Sequence, residues 1–192
     1  MASLEIDKST TALVIIDLQK GVASMDRALA PHSASSVIAN AARLAESFRK
    51  NNMPIFLVHV EMSNAERLIT ITDDQGWNNN DLPKDWSEFV PELGRKESDI
   101  IITKKQWGAF YGTDLELQLR RRGIKTLVMS GISTNHGVES TSRFAYEYGF
   151  QQIFAEDAMT SMSAEMHNAA INIAFKRMGR VRSTDEILGA LL

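Results

Sequence analysis

The run TALVIID, Thr11–Asp17, constrains this chain most. Apolar and β-branched residues follow one another there without alternation, the mark of a strand buried on both faces of a parallel sheet. Similar runs recur as PIFLVHV from Pro54, DIIITK from Asp99, KTLVMSG from Lys125, QQIFAED from Gln151 and the short GRVRS from Gly179. Amphipathic stretches separate most of them. Val37, Ala41, Leu44 and Phe48 recur at helical spacing between Ser33 and Lys50. Thr113 with Glu116 predicts a capping box, with Gly123 ending that helix. A further helix is predicted from about Val138 to Tyr148, with Glu139 and Arg143 as an i,i+4 pair. Ser163 is placed to cap a helix running to about Met178, and Ser183 with Glu186 to box the last helix. Strict strand-then-helix alternation predicts an α/β fold, a six-stranded parallel sheet with right-handed crossovers and helices on both faces. At 192 residues the chain supports one domain, spanning 1–192. The polar stretch from Glu61 to Glu97 carries Trp77, Trp86 and Phe89, and reads as a long functional loop.

In such a sheet ligands bind beyond the carboxyl ends of the strands. Four positions there carry candidate chemistry: Asp17; Lys104 with Lys105; the turn Gly131–Gly137, GISTNHG; and Asp157. Each reads equally as a solvated strand-end charge or a helix cap. Asp17 is the hardest to dismiss, because a carboxylate against Val14, Ile15 and Ile16 is costly unless a cation or donor meets it. A lysine of the third strand can meet it. The glycine-flanked turn opens a helix, so its backbone N–H groups suit a carboxylate or a developing oxyanion. His136 lies in that turn, placed either to line a site or simply to be exposed. Trp107, Phe110 and Tyr111 follow Lys104, and either fill the core or wall a pocket for a small unsaturated ring.

Other classes are excluded. With 21 Lys and Arg against 24 Asp and Glu, the net charge of −3 gives no footprint for nucleic acid. The absence of cysteine removes disulfides, thiolate zinc sites and thiol nucleophiles, and fits a reducing compartment. Neither a secretory signal nor an apolar run of about 18 residues is present, so no membrane span and a cytoplasmic location are expected. There is no P-loop, no GxGxxG after the first strand and no GxSxG elbow. His32, His59, His136 and His167 lie far apart without ligand spacing, which predicts neither a metal site nor a cofactor, and His59 reads as a hydrogen-bonded strand histidine.

The segments VIIDLQ around Asp17, TKKQWGAFYGTDLE from Thr103, GISTNHGVESTSRFAYEYGF from Gly131 and AEDAMTSMSAEMHNAAINIAF from Ala155 resemble, in order and spacing, the isochorismatase-like hydrolases, also called the cysteine hydrolase superfamily. The likeness covers nearly the whole chain. It implies a three-layer α/β/α, Rossmann-like fold, assembled as a homodimer or larger homo-oligomer. Most members resemble one another in an Asp, Lys and Cys triad for amide hydrolysis. Asp17 matches the Asp and Lys104 the Lys, while Gly137 stands where the Cys is expected. The Asp and two His that hold metal in nicotinamidases are not matched. Members similar to isochorismatases tolerate glycine at that place, since their vinyl ether chemistry needs an acid rather than a nucleophile. The resemblance also implies a cis peptide between Ile132 and Ser133, turning the N–H groups of Ser133 and Gly137 into the pocket. A substrate-binding Gln common after the second strand is replaced by His59, Val60 and Glu61, which leaves Arg67 as the candidate carboxylate partner.

The expected activity is hydrolysis of a small anionic enol ether such as isochorismate, with Asp17, Lys104 and Gly137 at the catalytic centre and Ser133, Trp107, Phe110, Arg67 and His136 around the substrate. Two alternatives stand beside it: hydrolysis of a small amide on the same fold, and a catalytically silent relative that binds a ligand or partner.

Overall fold

The structure, a computed structural model, describes residues 4–23, 28–61, 71–73 and 82–192. Every residue of β1 (Thr11–Ile16) is buried, as its unbroken apolar run requires. The chain continues through a short turn α1 (Lys20–Ala23), the long helix α2 (Ala34–Lys50), β2 (Ile55–Val60), a 3-10 turn Pro91–Leu93 and β3 (Ile100–Lys104). Then come α3 (Leu115–Arg121), β4 (Thr126–Ile132), a π-helical turn Thr134–Val138 that runs into α4 (Glu139–Glu147), and β5 (Gln151–Thr160). Next are α5 (Ala164–Ala169), prolonged by a π-helical segment Ala170–Phe175 and the turn α6 (Lys176–Met178), then β6 (Arg180–Arg182) and α7 (Thr184–Gly189). The strands form one sheet in the order β3-β2-β1-β4-β5-β6, and every neighbouring pair is parallel.

Alternate residues of β1 feed two cores. Ala12, Val14 and Ile16 pack with Leu115, Leu119, Ala145 and Phe175; Leu13 and Ile15 pack with Val37, Ala41, Leu44, Phe48 and Ile187. This is the expected α/β/α arrangement, one helical layer on each face. The helical spacing in α2 delivers the buried stripe it predicts, and Ser33 caps the helix by accepting from the Ser36 amide at 3.2 Å. Ser183 and Glu186 form the capping box at α7.

Three local expectations are corrected. Thr113 and Glu116 make no capping box: the Thr113 hydroxyl donates to the Ala109 carbonyl and accepts from Leu115 N–H, so α3 starts at Leu115 with Asp114 at its cap. Ser163 does cap α5, but the helix widens to π geometry at Ala170 rather than running evenly to Met178. The fifth strand does not end at Asp157. It continues to Thr160 after a register shift against Met129 and Gly131.

Because β2 and β3 lie on one side of β1 and β4 to β6 on the other, the winding direction reverses between β1 and β4. A crevice opens at the carboxyl ends of strands at such a point. Asp17 and the segment after Gly131 sit there.

Candidate active site

Asp17 follows β1 directly and is 6% exposed. Its backbone is left-handed, with φ of 53°, and its N–H donates to the Val58 carbonyl at 2.9 Å. Aspartate tolerates that conformation better than most residues, and a strained backbone held by its surroundings is common where a side chain must be aimed. Beside it β4 comes close. A Cβ on Gly131 would stand 2.0 Å from the Ile16 carbonyl oxygen, and φ there is 124°, so only glycine fits.

Lys104, the last residue of β3, is 2% exposed and reaches across β2. Its Nζ lies 2.8 Å from Asp17 Oδ2 and donates to the Gln106 carbonyl at 3.1 Å. Lys105 points elsewhere, to Glu61 at 3.3 Å, so Lys104 is the lysine that meets the aspartate. The second carboxylate oxygen, Asp17 Oδ1, is buried with no hydrogen-bond partner among the described residues. Burial raises the Asp17 pKa above the ordinary aspartate value, and the Lys104 ammonium opposes that rise without cancelling it. A buried ion pair adds little net stability over an apolar pair of the same size. Its retention at the switch point therefore reads as chemistry rather than as a support for the fold.

The turn after β4 begins with a cis peptide between Ile132 and Ser133, as the resemblance implied. The Ser133 hydroxyl lies 2.8 Å from the Ser161 hydroxyl and 2.9 Å from Asn135 Oδ1, and Ser161 also bonds Asn135 Oδ1. The Gly137 carbonyl accepts from the Thr141 hydroxyl at 2.7 Å, and that hydroxyl accepts from Ala109 N–H at 3.0 Å, joining the turn to the segment after β3. A Cβ on Gly137 would lie 3.0 Å from Asp17 Oδ2 and 3.1 Å from Ile16 Cγ2. The position where the resemblance leads one to expect a cysteine thus lies directly against the carboxylate. Here it is bare backbone.

The remaining candidates separate. Trp107 is 63% exposed and sets its ring edge-on to His136, with centroids 4.8 Å apart. Burial lowers the pKa of His136, with Glu139 opposing. Phe110 is buried against Tyr148 and Phe150 and belongs to the core. Arg67 lies outside the described residues. Asp157 is a cap, its Oδ1 accepting from both Thr184 N–H and the Thr184 hydroxyl at 2.7 Å. His59 is hydrogen-bonded at both ring nitrogens, to the Ser87 carbonyl and the Thr103 hydroxyl at 2.8 Å each. An open cleft of about 490 Å³ lies at the other, amino end of the sheet, but Arg49 there is committed to Asp99 at 2.7 Å.

Two features escaped the sequence. Gln19, fully buried, accepts from Val60 N–H at 2.8 Å and donates to the Val60 and Trp86 carbonyls, pinning the end of β2 and the following loop beside Asp17. Its position in DLQK, two residues past the aspartate, was the available signal. The second is a cluster. His32 and His167, 135 positions apart in number, both reach Glu156 Oε1, at 2.9 and 3.1 Å. Sequence separation of the histidines was therefore no guide to their separation in space. The His167 hydrogen bond, opposed by burial and assisted by His32, lowers the Glu156 pKa to about 2.

Comparisons with known proteins agree with this fold. The Isochorismatase domain family matches residues 11–186. The chain is 52% identical over 190 residues to an isochorismatase family protein of Escherichia coli O157:H7, YecD, covering 98% of this chain and 100% of that one. It is 49% identical over 191 residues to YwoC of Bacillus subtilis (strain 168), named in the same family, covering 98% and 97%. An isochorismatase family protein from Burkholderia thailandensis superposes with a TM-score of 0.92 at 38% identity, covering 99% of each chain. More distant relatives carry names of two chemistries. A probable isochorismatase of Pseudomonas chlororaphis is 28% identical, covering 98% of this chain and 89% of that one. A ureidoacrylate amidohydrolase of Methylobacterium radiotolerans is 31% identical, covering 88% and 74%. Fold and similarity across nearly the whole length agree: the chain belongs to the isochorismatase family of hydrolases.

Proposed function

We propose that this hydrolase cleaves a small anionic enol ether, isochorismate first among them, with Asp17 as general acid and no covalent nucleophile. The observation that carries the reading is the buried Asp17–Lys104 pair, 2.8 Å apart, beside a glycine at position 137 in a chain without cysteine. An acyl-enzyme needs a nucleophile, and position 137, against the carboxylate, offers none. A vinyl ether needs only a proton delivered to carbon.

Asp17 gives its proton to the terminal methylene of the enol-pyruvyl group, and the ether oxygen stabilises the resulting oxocarbenium ion. Water adds at that carbon and returns a proton to the Asp17 carboxylate. The hemiketal hydroxyl then gives up a proton as the bond between its carbon and the ring oxygen breaks, the ring oxygen takes up a proton, and pyruvate and a dihydroxy-cyclohexadiene carboxylate are released. Lys104 orients Asp17 and meets a substrate carboxylate. The N–H groups of Ser133 and Gly137 receive negative charge, and Trp107 with His136 flanks the ring.

Pyruvate release from isochorismate by the purified protein is the direct assay. Release over a no-enzyme control supports the reading, and turnover of amides with none of isochorismate overturns it. The amide reading is favoured by the similarity to a ureidoacrylate amidohydrolase, with water as direct attacker. Ammonia release from an amide panel is its readout.

Two further outcomes are expected. The acid must be protonated to act, so kcat/KM falls as pH rises through the Asp17 pKa. Since burial raises that pKa, the fall lies above the ordinary aspartate value of about 4. A rate that instead grew across that range would contradict the assignment. In Gly137→Ala the new Cβ presses on Asp17 Oδ2 at 3.0 Å. A shift of a few tenths of an ångström in the acid should lower kcat about tenfold with KM little changed, and an unaltered kcat would remove Gly137 from the catalytic centre.

A further inference from the structure

We propose a second site on this chain: His32, Glu156 and His167 bind a divalent transition cation, zinc foremost, next to the turn that carries Gly137. It stands apart from the enol-ether reading. One ligand atom from each of the three residues lies within 4.8 Å of the others, and both imidazole Nε2 atoms converge on the same carboxylate oxygen. In a tetrahedral zinc site with bonds near 2.0–2.2 Å, ligand atoms stand about 3.3 Å apart. The 2.9 and 3.1 Å separations from Glu156 need to open by only a few tenths of an ångström, and the two imidazole nitrogens, within 4.8 Å of each other, close toward the same spacing. Two imidazoles and one carboxylate suit zinc and its neighbours, and leave at least one position for water.

The cluster is built by the fold. Ala30 pairs with Ser161 through two backbone hydrogen bonds, of 2.9 and 3.2 Å, which hold His32 at the carboxyl end of the sheet. Glu156 lies on β5 within the irregular stretch opposite β4. His167 is fully buried on α5, an unusual place for an imidazole with no task. Its second nitrogen, Nδ1, lies 2.9 Å from the Thr134 hydroxyl. A metal-bound imidazole characteristically holds its other nitrogen in a hydrogen bond of this kind, which fixes tautomer and ring direction. In the cation-free state Nε2–H of each ring donates to Glu156. With a cation bound, the Nε2 lone pairs turn to the metal and His167 Nδ1–H donates to Thr134. His32 and Glu156 are about one-third exposed or less at their side chains, 27% and 33%, so a path from solvent exists. Ser161, which anchors His32 through Ala30, also bonds Ser133 and Asn135. The cation would therefore clasp β5 and α5 to the catalytic turn from behind.

The test uses the full chain stripped with a chelator and dialysed against zinc sulfate, with metal content and thermal melting as readouts. Wild type should retain one equivalent of zinc and melt at higher temperature with zinc than without. His32→Ala and Glu156→Gln should each weaken binding at least tenfold and lose the zinc-dependent shift. Neither change touches a fully buried side chain, so both variants should fold, and melting without zinc verifies it. Cobalt(II) gives a spectroscopic signature, visible absorption of a four- or five-coordinate ion in wild type that is absent from His32→Ala. No zinc retained by wild type, or equal retention by wild type and His32→Ala, would overturn the proposal and leave the triad a hydrogen-bonded clasp alone.

Discussion

Asp17→Asn should lower pyruvate release from isochorismate by about 10³-fold, within the 10²–10⁴ range that a positioned acid contributes, while the chain stays folded. The amide is nearly isosteric with the acid and can accept from Lys104 Nζ, which lies 2.8 Å from Oδ2 in the wild type. It has no proton acidic enough to give to carbon. The loss should therefore fall on kcat and kcat/KM together, the pattern of a contact made only in the transition state. The descending pH limb should disappear with it, since that limb reports the raised Asp17 pKa. Melting curves with and without a product analogue separate lost chemistry from lost binding. An Asn variant that keeps a tenth or more of the activity would remove Asp17 from its role.

Lys104→Met should destabilise the chain by about 3–5 kcal/mol, because it leaves a buried carboxylate without its counter-charge. Both partners are more than nine-tenths buried, so solvent cannot replace the ammonium. Burial already raises the Asp17 pKa, and removing Lys104 raises it further. A carboxyl whose pKa is higher folded than unfolded favours folding when protonated. The deficit is therefore small near pH 4 and grows as pH rises. Urea unfolding of the variant at pH 5 and pH 8 should show the larger loss at pH 8. The double variant Asp17→Asn with Lys104→Met removes both charges and should recover most of the stability without recovering activity. Equal losses at both pH values, or no recovery in the double variant, would show that the pair is not coupled as described.

Much of the fold was legible because it rests on nearest-neighbour physics. A continuous apolar run such as Thr11–Ile16 can be buried only between two layers, and four residues at helical spacing in α2 can face only one of them. Asp17 and a lysine of the third strand were legible for a different reason: polar residues at the carboxyl ends of strands are few, and a charge next to Ile16 must be answered, whereas the choice of Lys104 over Lys105 and the notice given to Gly137 came from the family resemblance. Other features depended on geometry that spacing does not encode. Thr113 resembles a helix cap but spends its hydroxyl on Ala109. Asp157 resembles a strand-end acid until β5 runs past it and Thr184 claims it. Phe110 follows the lysine closely but turns into the core against Phe150. The π-helical segments at Thr134–Val138 and Ala170–Phe175 leave no periodicity that separates them from α-helix. The His32–Glu156–His167 cluster joins three distant segments through backbone pairing at Ala30 and Ser161, which no local pattern announces.

The most direct test is the fate of oxygen during isochorismate hydrolysis in ¹⁸O-labelled water, with a parallel run in D₂O. Protonation at carbon followed by water capture leaves the ring alcohol unlabelled and places one deuterium in the pyruvate methyl group. Label in the ring hydroxyl, or no pyruvate at all, would contradict a mechanism in which the Asp17 proton opens the enol ether.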